Sequence, residues 1–210
     1  MSDPAELYHA ILTGNAKKAE EVTKAALQAK IDPVELVQKY MIPAMDEVGK
    51  RFECNEYFVP ELLIAARAMK ISLELITPHL AAVGAEPAGR VVIGTVQGDL
   101  HDIGKNLVAS MLEGGGFQVV DLGVDVPPEK FVEAAQERDG TIVALSALLT
   151  TTMTMMKKVI DALQKAGIRQ KTRVIIGGAP ITQQYADEIG ADGYSDNASS
   201  AVALARRLTA

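Results

Sequence analysis

The chain has no tryptophan and a single cysteine, Cys54, and only 4% of its 210 residues are aromatic. One cysteine cannot close an internal disulfide, so the fold must rest on its core. So few aromatics exclude a stacking platform for bases and argue against a sugar-binding cleft. Lys and Arg number 21 against 27 Asp and Glu, a net charge of −6, without the basic clusters that a phosphate backbone requires. Nucleic acid is therefore not an expected partner. No apolar run approaches the ~18 residues that span a bilayer, because a charged residue interrupts each candidate, and the opening MSDPAELYHA lacks the basic and apolar regions of a signal peptide. The expectation is a cytoplasmic protein with no membrane partner. What is present is a content of 48% hydrophobic and 23% charged residues, enough apolar side chain for one large domain or two small ones.

Two periodicities divide the sequence. Up to about residue 83, apolar residues recur at spacings of three and four with few β-branched clusters, the signature of helices. Gly14-Asn15 separates a first helix from a second that ends near Lys30. Asp32-Pro33 starts a third, which carries Val34, Val37, Met41, Met45 and Val48 on one face and should kink at Pro43. Pro60-Glu61 opens the last, which is apolar nearly all round, with Leu62, Leu63, Ile64, Ala65, Met69, Ile71 and Ile76, and is expected to be buried on several sides. A helical bundle over residues 1–86 is the simplest container, ended by the breaker-rich AVGAEPAG at 82–89.

Over residues 87–210 short β-branched runs at 90–96, 118–122, 141–146 and 172–176, and a shorter one near Gly193, alternate with helical patterns. That alternation predicts an α/β domain, a flavodoxin-like (Rossmann-like) five-stranded doubly wound parallel sheet of strand order 2-1-3-4-5. In such a sheet ligands bind at the carboxyl ends of the first and third strands, where the winding reverses. The polar and glycine-rich segments 97–106, 146–152, 177–180 and 194–198 all fall at strand ends.

The loop after the first strand reads Q-G-D-L-H-D-I-G-K-N. It is neither the G-x-G-x-x-G of a dinucleotide site nor a Walker loop, so phosphate cradling is not its main task. His101 stands with Asp99 two residues before it and Asp102 one after. In that arrangement one ring nitrogen can bind a metal while the other donates to a carboxylate. The other histidines, His9 and His79, and Cys54 lie in the helical region, so a four-ligand zinc site has no obvious partners. A metal that takes one axial ligand from protein and the rest from a macrocycle fits better. Alone, a loop histidine beside aspartates is more often solvated or capping, and a glycine pair after a strand is more often a turn.

Spacing changes that balance. Asp99-Leu100-His101-Asp102-Ile103-Gly104 is followed after 41 residues by Ser146-Ala147-Leu148, and after a further 28 by Gly177-Gly178. In these three motifs the chain resembles the cobalamin-binding module of methionine synthase and, over nearly its whole length, the corrinoid proteins of methyltransferase systems. Upstream, M-D-E-V-G-K-R-F at 45–52 and F-V-P-E at 58–61 look like that family's helical cap.

The resemblance implies a cobalamin or related corrinoid bound base-off and His-on, with its cobalt on His101 as the one metal ligand. It implies that Asp99 hydrogen-bonds the far nitrogen of His101. Thr152, six positions after Ser146 and a serine in methionine synthase, would continue a relay that couples a proton to the state of the cobalt. Gly98, Asp102, Ile103 and Gly104 would border the cofactor, with Thr150 as a further contact, while Ser146 and Leu148 would flank its nucleotide tail. Gly177 and Gly178 would line the tail's far end, with Tyr194 and Asn197 as further contacts. Phe58, Leu62 and Ala65 would face the methyl-bearing side from the cap.

The implied function is that of a methyl carrier, not autonomous as an enzyme. It would work between a substrate-specific methyltransferase and an acceptor methyltransferase serving a folate or thiol, with a reductive activator as a further partner. The same modules could instead form a cobalamin-dependent sensor or regulatory subunit, although no basic helix-turn-helix segment is evident. A phosphoacceptor receiver shares the sheet but needs an aspartate ending the third strand, where Ser146 stands.

Overall fold

Helix starts in the first third of the chain are set by side chains that satisfy free backbone N–H groups. In the computed structural model, which describes residues 3–209, α1 (Ala5–Leu12) is followed by α2 (Ala16–Gln28), where Asn15 Oδ1 accepts from Lys18 N–H at 3.0 Å. Asp32 Oδ1 accepts from Val34 N–H at 2.9 Å and starts α3 (Pro33–Leu36), with proline in the first turn. Glu61 Oε2 reaches back to Phe58 N–H at 2.9 Å at the start of α5 (Val59–Ala82).

Between them α3 runs through a π-helical turn, Val37–Met41, into α4 (Ile42–Glu53). Pro43 has no N–H to give to Lys39, and its ring would strike that carbonyl; the wider turn relieves both. The expected kink is thus a bulge in the turn before the proline. A second difference concerns α5. Leu62, Ala65, Ala68, Met69 and Ile76 are buried, and Ser72 meets Thr23 of α2 at 3.1 Å, yet Leu63 and Ile64 are each 48% exposed. The helix is buried along one face, and part of its apolar girth is left open.

Two compact units result, Met1–Pro87 with Glu113–Gly116, and Ala88–Leu112 with Phe117–Ala210. The second is a parallel sheet of order β2-β1-β3-β4-β5, as the alternation of the sequence predicts. Its strands are β1 (Arg90–Thr95), β2 (Gln118–Asp121), β3 (Ile142–Ser146), β4 (Arg173–Gly177) and β5 (Gly193–Tyr194). Helices α6 (Ile103–Gly114), α7 (Pro128–Gln136), α8 (Thr154–Lys165) and α9 (Gln183–Ile189) make the connections, and α10 (Ala198–Thr209) follows β5.

β1 and β3 read as near-continuous apolar runs because both faces are covered. Register brings Thr95, Ser146 and Gly177 side by side at one edge. The three separated motifs of the sequence therefore emerge at the same level of the sheet. Among the described residues no helix is long and apolar enough to cross a membrane.

Phe131 of α7 is fully buried against β1, and a Cβ built on Gly94 would lie 2.8 Å from its ring. Gly94→Ala should therefore destabilise the protein by about 1–3 kcal/mol through overpacking. Adding Phe131→Leu should recover part of that loss, so that chemical denaturation gives a double mutant less destabilised than the sum of the singles.

Candidate functional site

Asp99 is fully buried at the end of β1, where a carboxylate survives only if donors surround it. They do. Oδ1 accepts from the His101 backbone N–H at 3.1 Å and from His101 Nδ1 at 2.7 Å. Oδ2 accepts from the Leu148 and Leu149 N–H groups at 2.8 and 3.3 Å and from the Thr152 hydroxyl at 2.6 Å. Burial alone would raise the Asp99 pKa, but the bonds from Thr152, Leu148 and His101 outweigh it and hold the carboxyl well below the usual range.

An ionised Asp99 can only accept, so the proton between it and His101 sits on Nδ1. The ring then presents Nε2 with its lone pair, and Nε2 has no hydrogen-bond partner among the described residues. The His101 side chain is 50% exposed. Its backbone carbonyl accepts from the buried Thr95 hydroxyl at 2.8 Å, tying the loop back to the strand below it. The donors come from two strand ends that register makes neighbours: His101 follows β1, and Leu148, Leu149 and Thr152 follow β3.

Among the described residues no group of three or more His, Cys, Asp or Glu side chains could hold a metal ion unaided. A single outward imidazole nitrogen suits a metal that brings its other ligands with it. The surroundings fit a flat, largely apolar group: Leu100, Ile103, Leu148 and Leu149 are exposed, which is unusual company for a polar loop. Gly104 has no positive φ, and a Cβ there would meet nothing. Neither backbone nor packing demands glycine at that position, and a side chain there would project into open space.

Gly178 is different, since its φ is 134° and a Cβ would lie 1.9 Å from the Ala147 carbonyl oxygen. At Gly177 a Cβ would come within 3.1 Å of the Ser195 carbonyl. This glycine pair lets the loops after β3, β4 and β5 approach one another.

Of the remaining residues singled out in the sequence, Gly98 and Thr150 are exposed beside the loop, and Ser146 is half-buried at the end of β3. Asp102 Oδ2 accepts from Asn106 in the first turn of α6. Tyr194 packs partly against the domain core, and Asn197 Oδ1 accepts from Ser200 N–H at 2.9 Å to start α10. In the helical unit Phe58 is exposed, whereas Leu62 and Ala65 lie in its core.

Sequence spacing does not single out Thr95, Lys105, Asp121 or Asp125. Lys105 is almost wholly buried, with Nζ 2.5 Å from Asp121 Oδ2 and 2.6 Å from Asn106 Oδ1. Asp125 Oδ1 accepts from Gly98 N–H at 2.7 Å. These bonds join separate loops, and the one sequence signal for them is D-L-G-V-D at 121–125, a segment suited to a left-handed turn.

Comparison with known proteins gives matches over both parts of the chain. Residues 89–203 and residues 5–77 each match a family described as B12 binding domain. The chain is 47% identical over 206 residues to Trimethylamine corrinoid protein 1 of Methanosarcina acetivorans, covering 97% of this chain and 95% of that one. A cobalamin-binding protein from Desulfitobacterium hafniense superposes with a TM-score of 0.80 at 34% identity, over 99% of both chains. The methanol:cobalamin methyltransferase complex MtaBC from Methanosarcina barkeri gives a TM-score of 0.85 at 31% identity, over 97% of this chain and 78% of that one.

The Asp99 cluster makes a prediction that needs no ligand. In Asp99→Asn an amide NH2 must face donors whichever way it is turned, so the cofactor-free protein should lose about 2 kcal/mol or more. His101→Ala removes a half-exposed ring and should cost less than about 1 kcal/mol. Urea denaturation of both variants checks the order.

Proposed function

The chain belongs to the corrinoid proteins of methyltransferase systems, and on that footing we propose that it carries a methyl group on a corrinoid held through His101 in the base-off, His-on manner. The methyl would come from an N-methyl compound through one methyltransferase and leave through a second one that serves a thiol or a folate. The bound corrinoid supplies a cobalt able to accept and release methyl.

What supports this most is the chain of contacts His101–Asp99–Thr152 at the end of β1. Asp99 fixes the ring tautomer and orientation, and its negative charge makes Nε2 a better donor. Thr152 and the Leu148 and Leu149 amides hold that charge in place, so the ring is already aimed before anything binds. The exposed Leu100, Ile103, Leu148 and Leu149 offer apolar contact around the imidazole. Gly104 leaves open space beside the imidazole, and we assign Ser146, Gly177 and Gly178, at the neighbouring ends of β3 and β4, to the border of the nucleotide tail.

In the helical unit, Phe58, Val59, Leu63 and Ile64 form an exposed apolar edge on the first turns of α5. We assign that edge to shielding the carried methyl from water; Leu62 and Ala65 support the helix beneath it. An amine as methyl source follows the similarity to a trimethylamine corrinoid protein. A separate activator that restores the reduced cofactor completes the set of partners.

The test is direct. Corrinoid-loaded, reduced protein is mixed with a methyltransferase of the trimethylamine class and its methyl-labelled amine; label should become bound to the protein and be released to a thiol acceptor by a second methyltransferase. Failure of the protein to take up label, while the same enzyme methylates its own corrinoid partner, contradicts the assigned donor class.

Gly104 gives a sharper prediction. Gly104→Ala should leave the cofactor-free stability within about 1 kcal/mol of wild type, yet weaken corrinoid binding about tenfold or more, equivalent to about 1.4 kcal/mol. Denaturation of the free protein and equilibrium titration with cobalamin measure the two effects separately.

A further inference from the structure

The loop between β2 and α7 is tied to the histidine loop by hydrogen bonds of its own. Asp125 has a φ of 53°, in the left-handed region that non-glycine residues rarely occupy. Its N–H donates to the Asp99 carbonyl at 3.0 Å, and its Oδ1 accepts from Gly98 N–H at 2.7 Å. One residue thus satisfies a donor and an acceptor on the two residues that precede Leu100 and His101. The neighbouring Val126 N–H donates to the Thr95 carbonyl at 3.0 Å, continuing the grip down to the strand.

The loop that delivers Asp125 is itself held firmly. Asp121 Oδ1 accepts from Gly123 N–H at 2.8 Å, and the Gly123 carbonyl accepts from Thr95 N–H at 3.0 Å. Asp121 Oδ2 meets the ammonium of Lys105 at 2.5 Å, and that lysine side chain is only 2% exposed. Lys105 belongs to the first turn of α6, just beyond the histidine loop. The β2–α7 loop therefore grips the segment that carries His101 from both sides, through Asp125 before it and through Asp121 after it.

Backbone geometry at position 125 would be met more cheaply by glycine. What aspartate adds over glycine is the acceptor for Gly98 N–H, the hydrogen bond that its side chain makes among the described residues. We propose that Asp125 is a positioning residue for His101: by fixing the Gly98–Asp99 backbone it sets where the Asp99 carboxylate stands, and hence the direction in which the imidazole presents Nε2. This rests on His101 as the cobalt ligand.

Two variants test it. Asp125→Gly keeps the left-handed backbone and the N–H to Asp99 but removes the acceptor, while Asp125→Asn keeps an Oδ1 acceptor and tolerates the same φ. Wild-type protein labelled with 15N-histidine is the control for the underlying assignment. Two readouts are taken: the 15N resonance of His101 Nδ1 in the cofactor-free protein, which reports its bond to Asp99, and the axial-nitrogen coupling in electron paramagnetic resonance of the Co(II)-corrinoid form.

Asp125→Asn should match wild type in both. Asp125→Gly should unfold cooperatively near the wild-type midpoint but show a weakened Nδ1 signature and a His-on population reduced about threefold to tenfold, as the loss of one hydrogen bond implies. Wild-type behaviour in Asp125→Gly overturns the proposal. So does equal damage in Asp125→Asn, where the acceptor remains, or failure of Asp125→Gly to fold, which would make the residue a folding element. An axial-nitrogen triplet that persists in wild-type protein labelled with 15N-histidine removes the cobalt assignment instead, and the Nδ1 resonance still judges Asp125 by itself.

Discussion

A carboxylate with no solvent contact can stay ionised only where the fold supplies donors in advance, and this requirement at Asp99 organises the carboxyl edge of the sheet. Its two oxygens accept from groups on the segments after β1 and after β3. Those segments adjoin only because the winding of the sheet reverses between these two strands. The charge, once held, decides the histidine: an acceptor-only partner puts the proton on Nδ1 and leaves Nε2 as the free donor atom. Topology, burial and ligand chemistry are thus successive consequences of one constraint.

The glycines around the site differ in what they are for. Gly178 is required by the protein itself, since its φ and the nearness of Ala147 leave no room for a side chain. Gly104 is required by neither, and its vacancy faces outward. A motif read as one pattern in sequence therefore contains residues that differ in constraint: folding requires Gly178 and leaves Gly104 free. The exposed leucines and isoleucine near His101 belong with Gly104, since the fold buries none of them and the proposed function gives them a ligand to meet.

Much of this was legible in the chain. The switch from spacings of three and four to β-branched runs separates bundle from sheet, and the strand order follows from repeated strand–helix units. Spacing among Asp99, Ser146 and Gly177 foretold motifs at neighbouring strand ends, and register aligns Thr95, Ser146 and Gly177. Less legible were features that depend on contacts across loops. Leu62 and Ala65 look equivalent to Leu63 and Ile64 in an all-round apolar helix, and only packing sends the first pair inward. The proline in α4 announces a disturbance, but not that a π turn would absorb it one turn earlier. Asp125 and Lys105 carry no spacing signal, because their partners are set by the β2–α7 loop folding back on β1 and α6.

The account stands on one atom, Nε2 of His101, as the protein's donor to cobalt. Protein grown with 15N-histidine and loaded with natural-abundance corrinoid gives the most direct test, by electron paramagnetic resonance of the Co(II) form. If Nε2 is the axial donor, each cobalt line should change from the triplet of nitrogen-14 to the doublet of nitrogen-15. A triplet that persists in the labelled protein would mean that the axial nitrogen belongs to the corrinoid's own base, and would contradict the account.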